Sequence, residues 1–126
     1  MAITILYVDD DQEDLEIFEE AINSISSSIK FLSARSAVDA LALLDQQKDL
    51  PHMIFVDINM PVMSGKEFLR AVKVNSQLQN IPVIIYTTSR QQAEKEECKL
   101  LGAKDFITKP ATFPVLIEKL KNAIGL

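Results

Sequence analysis

The chain alternates regularly between two sequence patterns, five short apolar runs and five stretches with helical periodicity. Each apolar run is rich in β-branched or aromatic side chains, which predicts a strand. The runs are ITILYV at 3–8, IKFLSA at 29–34, HMIFVD at 52–57, IPVIIYT at 81–87 and DFIT at 105–108. Strict alternation of strands and helices predicts an α/β fold, with a parallel sheet covered by helices on both faces. The second and fifth runs are more polar or shorter, so we expect them at the edges.

The predicted helices begin and end at recognisable signals. Asp11 and Ser36 are the expected N-caps of the first two helices. Gly102 is the expected stop of the fourth, and Gly65 is expected to permit a backbone conformation that other residues resist at the start of the third. The helices are predicted from near Asp11, from Ala37 to Lys48, from Ser64 or Gly65, from Gln91 to Leu101 and from Phe113 to Ala123.

Polar residues follow several strands at the point where each strand ends. In an open parallel sheet, ligands bind outside the carboxyl ends of the strands, where the strand order reverses. The residues expected at that edge are Asp9 and Asp10 after the first strand, Asp57 at the third, Thr87 and Thr88 at the fourth and Lys109 after the fifth. The sequence therefore predicts a site made of three carboxylates, hydroxyls and one ammonium group.

This combination of groups is typical of phosphoryl chemistry. Mg²⁺ prefers carboxylates, a backbone carbonyl and retained waters. A carboxylate beside such a metal can attack phosphorus and form an acyl phosphate. Lys109 can balance the charge on the phosphoryl oxygens, and the Thr87 hydroxyl can donate a hydrogen bond to one of them.

Composition excludes several other classes of protein. The net charge is −5, and residues 1–29 hold eight Asp or Glu and no Lys or Arg, which disfavours nucleic acid as a ligand. No apolar run approaches the roughly 18 residues of a membrane span, and the N-terminus lacks a signal peptide pattern. One cysteine, Cys98, permits no internal disulfide. We therefore expect a cytoplasmic protein without a membrane partner, and we interpret Cys98 and His52 as structural residues.

Four motifs together resemble a known family. YVDDD, VDINMPVMSG, IIYTTS and DFITKP, in this order and spacing, are similar to the receiver domain of bacterial two-component response regulators. The resemblance covers essentially the whole chain and implies a flavodoxin-like, doubly wound five-stranded sheet in the order 2-1-3-4-5. It implies one receiver domain over residues 1–126; because nothing follows the last helix, we expect no tethered output domain.

The resemblance also implies a role for each site residue. Asp57 would be the phosphoacceptor, supplied by a histidine kinase or histidine phosphotransferase. Its Mg²⁺ would be held by Asp9, Asp10, Asp57 and the backbone carbonyl of Asn59. Thr87 and Lys109 would contact the phosphoryl group, Phe106 would turn inward as the switching partner of Thr87, and the Lys109–Pro110 peptide would be cis. The chain would catalyse only its own phosphorylation and dephosphorylation and would signal to a protein target.

Two other hypotheses fit part of the pattern. A Mg²⁺-dependent phosphohydrolase of the haloacid-dehalogenase type would use Asp9 and Asp11 as a D-x-D pair, but the sequence DDDQED lacks the Gly and Thr expected after it. A scaffold receiver that is never phosphorylated would not need the complete set of site residues.

Overall fold

Ten elements alternate along the chain, as the sequence predicts, in a computed structural model that describes residues 3–126. The strands are β1 (Thr4–Val8), β2 (Lys30–Ala34), β3 (Met53–Val56), β4 (Val83–Thr87) and β5 (Asp105–Thr108). The helices are α1 (Gln12–Ile25), α2 (Ala37–Gln46), α3 (Gly65–Val74), α4 (Gln92–Leu100) and α5 (Phe113–Ile124). The predicted domain bounds start at residue 1, and residues 1 and 2 lie outside the described part.

The five strands form one parallel sheet in the order β2-β1-β3-β4-β5. This confirms the flavodoxin-like fold, with β2 and β5 at the edges. The strand order reverses between β1 and β3, which are neighbours with Val8 opposite Val56. The carboxyl ends of these two strands therefore meet at the position where an open α/β sheet binds its ligands.

Two apolar layers cover the faces of the sheet. One layer joins α2, α3 and α4 to the sheet through side chains such as Leu44, Phe68 and Cys98. The other joins α1 and α5 to the opposite face through Phe18 and Leu120, among others. Because both faces are covered, the central strands are apolar at nearly every position. Cys98 is fully buried in the first layer, in agreement with a packing role.

The helix ends confirm most of the predicted signals. The Asp11 carboxylate accepts hydrogen bonds from the backbone of Glu13 and Asp14, and the Ser36 hydroxyl accepts one from Asp39. Gly102 has a φ of 106°, which stops α4 as expected. Within residues 3–126, no helix is both long and apolar enough to cross a membrane.

Two local expectations were wrong. The Lys109–Pro110 peptide is trans, as is every peptide bond of residues 3–126, in line with the preference of about 0.5–1 kcal/mol for the trans form before proline. Gly65 does not have a positive φ. It is required for space, because a Cβ on Gly65 would lie 2.1 Å from the backbone oxygen of Asp57.

Candidate functional site

Backbone hydrogen bonds continue past the strand ends and place the site residues. The amide of Asp9 donates to Ala34, and that of Asp57 donates to Val8, each at 3.1 Å. The amide of Lys109 donates to the carbonyl of Thr87 at 2.7 Å. These bonds extend the sheet by one residue on β1, β3 and β5, so the backbone of Asp9, Asp57 and Lys109 is held by the sheet.

Three acids meet at the β1–β3 edge. Asp9, Asp10 and Asp57 each bring one carboxylate oxygen within 4.8 Å of the others. Asp9 and Asp57 are buried, while Asp10 is exposed. Burial raises the pKa of Asp57, and the nearby carboxylate of Asp9 adds to this rise. The positive charge of Lys109 partly opposes it. Oδ1 of Asp57 is buried and has no hydrogen-bond partner among residues 3–126.

An unpaired buried carboxylate oxygen beside two further acids fits a divalent cation. Such an oxygen is costly to bury without a partner, and a hard cation bound by the three carboxylates would satisfy Oδ1 of Asp57 and balance their charge. Asn59, the fourth predicted ligand through its carbonyl, is exposed in the loop two residues after Asp57.

Lys109 supplies the positive charge of the site. Its Nζ lies 2.8 Å from Asp9, 2.7 Å from Asp14 and 3.5 Å from Asp57. Burial acts to lower the pKa of Lys109, but the hydrogen bonds to Asp14 and Asp9 prevail and raise it. The predicted approach of Lys109 to the acids is therefore observed, with Asp14 as an additional partner that sequence reasoning missed.

Two tyrosines form the floor of the site and were also missed. The buried Tyr7 donates its hydroxyl hydrogen bond to Oδ2 of Asp9, and burial together with that carboxylate raises the pKa of Tyr7. The ring centroid of Tyr86 lies 5.6 Å from Nζ of Lys109, a cation–π distance. Both residues belong to apolar strand runs, so their spacing marks them only as core positions.

Thr87 and Phe106 occupy neighbouring strands. Thr87 is fully buried, and its hydroxyl oxygen accepts a hydrogen bond from the amide of Ser89 at 3.4 Å. Phe106 is half-buried and packs against the layer under α4. Thr88, which follows Thr87, is exposed.

Other candidate residues lie elsewhere or have structural roles. Nδ1 of His52 accepts a hydrogen bond from the amide of Thr4 at the opposite edge of the sheet. Asp11 caps α1, and both oxygens of Asp9 already accept hydrogen bonds. The structure gives the phosphohydrolase alternative, which needs these two acids as its catalytic pair, no support.

The sheet is doubly wound and carries three acids, a threonine and a lysine at its carboxyl edge. These features place the chain among the α/β domains in which a carboxylate reacts next to a bound cation. The model of the response regulator receiver domain matches residues 5–121, so the chain belongs to that family. It is accordingly a phosphorylatable aspartate switch of two-component signalling, and the family is a signalling switch rather than a class of enzymes.

Several known proteins are similar over almost their whole length. The polar-differentiation response regulator DivK of Brucella ovis is 29% identical over 125 residues, which are 99% of this chain and 98% of DivK. The structure of the phosphorylated cyanobacterial phytochrome response regulator RcpA has a TM-score of 0.88 at 26% identity, covering 98% of this chain and 91% of RcpA.

Two further solved structures extend the comparison. The Mn²⁺-bound response regulator Rcp1 has a TM-score of 0.85 at 26% identity, covering 98% of this chain and 93% of Rcp1. The chemotaxis protein CheY4 of Vibrio cholerae has a TM-score of 0.83 at 28% identity, covering 97% and 98% of the two chains.

Proposed function

We propose that Asp57 is the phosphoacceptor of this switch and that it takes its phosphoryl group from a histidine kinase or a histidine phosphotransferase. The observation that carries the proposal is the buried, unpaired Oδ1 of Asp57 between two other acids and an ammonium group. A carboxylate oxygen of Asp57 attacks phosphorus, the bond from phosphorus to the donor histidine nitrogen breaks, and that nitrogen leaves with the electron pair.

The surrounding residues prepare this transfer. Asp9, Asp10, Asp57 and the Asn59 carbonyl would hold Mg²⁺, which would neutralise charge on the phosphoryl oxygens. The acid cluster of this chain and the Mn²⁺ bound to the related Rcp1 support a divalent cation at this position. Lys109 pairs with the phosphoryl group, and the Thr87 hydroxyl donates a hydrogen bond to it.

The switch signals through a change in the shape of its surface. When the Thr87 hydroxyl turns toward the phosphoryl group, space opens beside β5 and Phe106 turns further inward from its half-buried position. The face formed by α4, β5 and α5 then changes shape and is bound by a protein target. The net charge of −5 supports a protein rather than a nucleic acid as the target. A reducing, cytoplasmic location is part of this proposal and is supported by the buried free thiol of Cys98.

Phosphotransfer profiling tests the proposal. Wild type, Asp57→Ala and the surface control Asp45→Ala are incubated with acetyl phosphate and Mg²⁺, and then with the kinases of the source organism. Intact-mass analysis should show one added phosphoryl group on wild type and on Asp45→Ala, and none on Asp57→Ala. Labelling of Asp57→Ala, or none of wild type, would refute the assignment.

The switch itself is tested on protein treated with beryllofluoride, a mimic of the phosphoryl group. NMR shift changes are expected in β4, β5 and the α4–β5–α5 face, including Phe106. An unchanged face would overturn the proposed output.

A further inference from the structure

Asp14 has no role in the function proposed above, yet it makes the shortest contact with Lys109. Its Oδ2 lies 2.7 Å from Nζ of Lys109, compared with 2.8 Å for Asp9 and 3.5 Å for Asp57. Hydrogen bonds between an ammonium group and a carboxylate normally span about 2.7–2.9 Å. Lys109 is therefore bonded to Asp14 and Asp9 and only near to Asp57.

We propose that Asp14 is a positioning residue that holds Lys109 away from Asp57 in the resting protein and thereby opposes the phosphorylated state. The inference rests on the proposed function, in which Lys109 must pair with a phosphoryl group on Asp57. To reach that group, Lys109 has to lengthen or break one of its two present carboxylate bonds.

Solvent exposure identifies the bond that breaks. The Asp14 side chain is 33% exposed, whereas the Asp9 side chain is completely buried. A released Asp14 regains water, but a released Asp9 would remain a buried charge with one partner fewer, which is far more costly. Asp9 is also fixed by Tyr7 and by the amide of Asp11. Asp14 is therefore the partner that Lys109 exchanges for the phosphoryl group.

Loss of the Asp14 charge should change the affinity for an anion and the affinity for a cation in opposite directions. Asp14→Asn frees Lys109 and removes a negative charge near the phosphoryl position, so both effects favour an anion on Asp57. The same change removes charge that attracts a metal and lets Lys109 move toward the metal-binding acids, so both effects disfavour a cation. A residue with a purely structural role in α1 would not produce opposite signs.

The two tyrosines provide the measurement. The chain has no tryptophan, and its two tyrosines are Tyr7 and Tyr86, both at the site. Tyrosine fluorescence is recorded while Mg²⁺ is titrated into the resting protein, and while beryllofluoride is titrated at saturating Mg²⁺. The matched control is Glu13→Gln, because Glu13 precedes Asp14 in the same exposed first turn of α1. Both variants are repeated in a Lys109→Gln background.

We expect Asp14→Asn to tighten beryllofluoride binding about fivefold, as loss of one partly exposed ion pair implies, and to weaken Mg²⁺ binding about twofold. Glu13→Gln should leave both affinities unchanged. In the Lys109→Gln background the gain of Asp14→Asn should shrink, because only the direct effect of the lost charge remains.

Three results would overturn the inference. They are unchanged or weaker beryllofluoride binding by Asp14→Asn, an equal gain in Glu13→Gln, and a full gain without Lys109. If wild type binds no beryllofluoride and takes no label from acetyl phosphate, the proposed function itself fails, and the role of Asp14 fails with it.

Discussion

Val62 lies in the loop after Asp57, the proposed phosphoacceptor, and has a strained backbone conformation. Its φ is 70°, and the turn around it is closed by a hydrogen bond from the Met63 amide to the Pro61 carbonyl. A β-branched residue with positive φ is rare and costs about 1–2 kcal/mol. The side chain is 95% exposed, so packing does not repay this cost.

Val62→Asn should therefore raise the free energy of unfolding by about 1 kcal/mol, because asparagine tolerates a positive φ better than a β-branched residue does. Urea unfolding measures the gain. Val74→Asn is the matched control, since Val74 is similarly exposed at the end of α3 without a positive φ. Equal stability changes in the two variants would contradict the strain argument.

Gly65 lies very close to the backbone of Asp57. Its α-carbon faces the backbone of Asp57 and Ile58, and its amide donates to the Ile58 carbonyl at 2.8 Å. Gly65→Ala should lower the free energy of unfolding by about 2–3 kcal/mol, as overpacking against rigid backbone does, and should slow phosphorylation of Asp57 by displacing it.

Chemical unfolding and acetyl phosphate labelling measure the two effects of this substitution. Gly125→Ala is the comparison, because a Cβ there meets nothing within 4 Å and the cost is only that of a φ of 88°. Wild-type labelling kinetics in a stable Gly65→Ala protein would show that this contact does not position Asp57.

At the scale of elements, sequence pattern was a reliable guide to local structure. All ten helices and strands of residues 3–126 were predicted within a few residues, because alternation, caps and the Gly102 stop are local signals. The order of the strands came from resemblance to a family, since periodicity does not determine which strands pair. The position of each strand end in the sequence was enough to predict which polar residues would meet. They are Asp9, Asp10, Asp57 and Lys109.

Contacts between distant elements were not predictable in the same way. Asp14 and Lys109 are 95 residues apart, and Asp14 is one of eight acids in an acid-rich segment, so nothing local marks it as the partner. The need for Gly65 was recognised but attributed to conformation, because the approach of Asp57 depends on how β3 and α3 pack.

A polar network connects α3, α4 and the loop after β4. Nζ of Lys66 lies 3.2 Å from Glu94 and 2.8 Å from Glu97, and Glu94 also accepts a hydrogen bond from the Ser89 hydroxyl. The Ser89 hydrogen bond, followed by Lys66, lowers the pKa of Glu94 below its usual 4.5. Ser89 lies two residues after Thr87, so this network holds the loop that follows the proposed switch threonine.

The lowered pKa of Glu94 predicts a pH-dependent effect of Ser89→Ala. A carboxylate whose folded pKa is depressed stabilises the fold above its unfolded pKa, and this stability disappears as the pH falls through the folded value. Ser89→Ala should therefore cost about 0.5 kcal/mol near pH 7 and progressively less below about pH 4.5. Urea unfolding across this range measures it, with the exposed loop residue Ser27 replaced by Ala as control. A cost that does not change with pH would contradict the role of Glu94.

At the scale of the whole molecule, the buried acids of the site are expected to lower the free energy of unfolding. Asp57 is buried next to the buried carboxylate of Asp9, and this burial raises the pKa of Asp57. When the folded pKa of an acid is raised, the unfolded chain releases the proton more readily, so stability falls as the pH rises toward neutrality. The resting, metal-free protein therefore bears an unfavourable charge that a cation would relieve.

Asp57→Asn removes this charge while keeping the shape of the side chain. In EDTA at neutral pH its free energy of unfolding should exceed that of wild type by about 1 kcal/mol, as is common when a strained functional group is replaced. Mg²⁺ should reverse the order, because a cation at 100 times its dissociation constant stabilises wild type by about 2.7 kcal/mol and Asp57→Asn lacks one of the proposed carboxylate ligands.

Thermal and urea unfolding with and without Mg²⁺ would test this crossover. Asp45→Asn, an identical change on the exposed side of α2, should follow wild type in both conditions. If Asp57→Asn is less stable than wild type in EDTA, the buried charge is already compensated by Lys109 and the other groups of the site. In that case the cation would be needed for phosphoryl transfer alone and not for relief of the acid cluster.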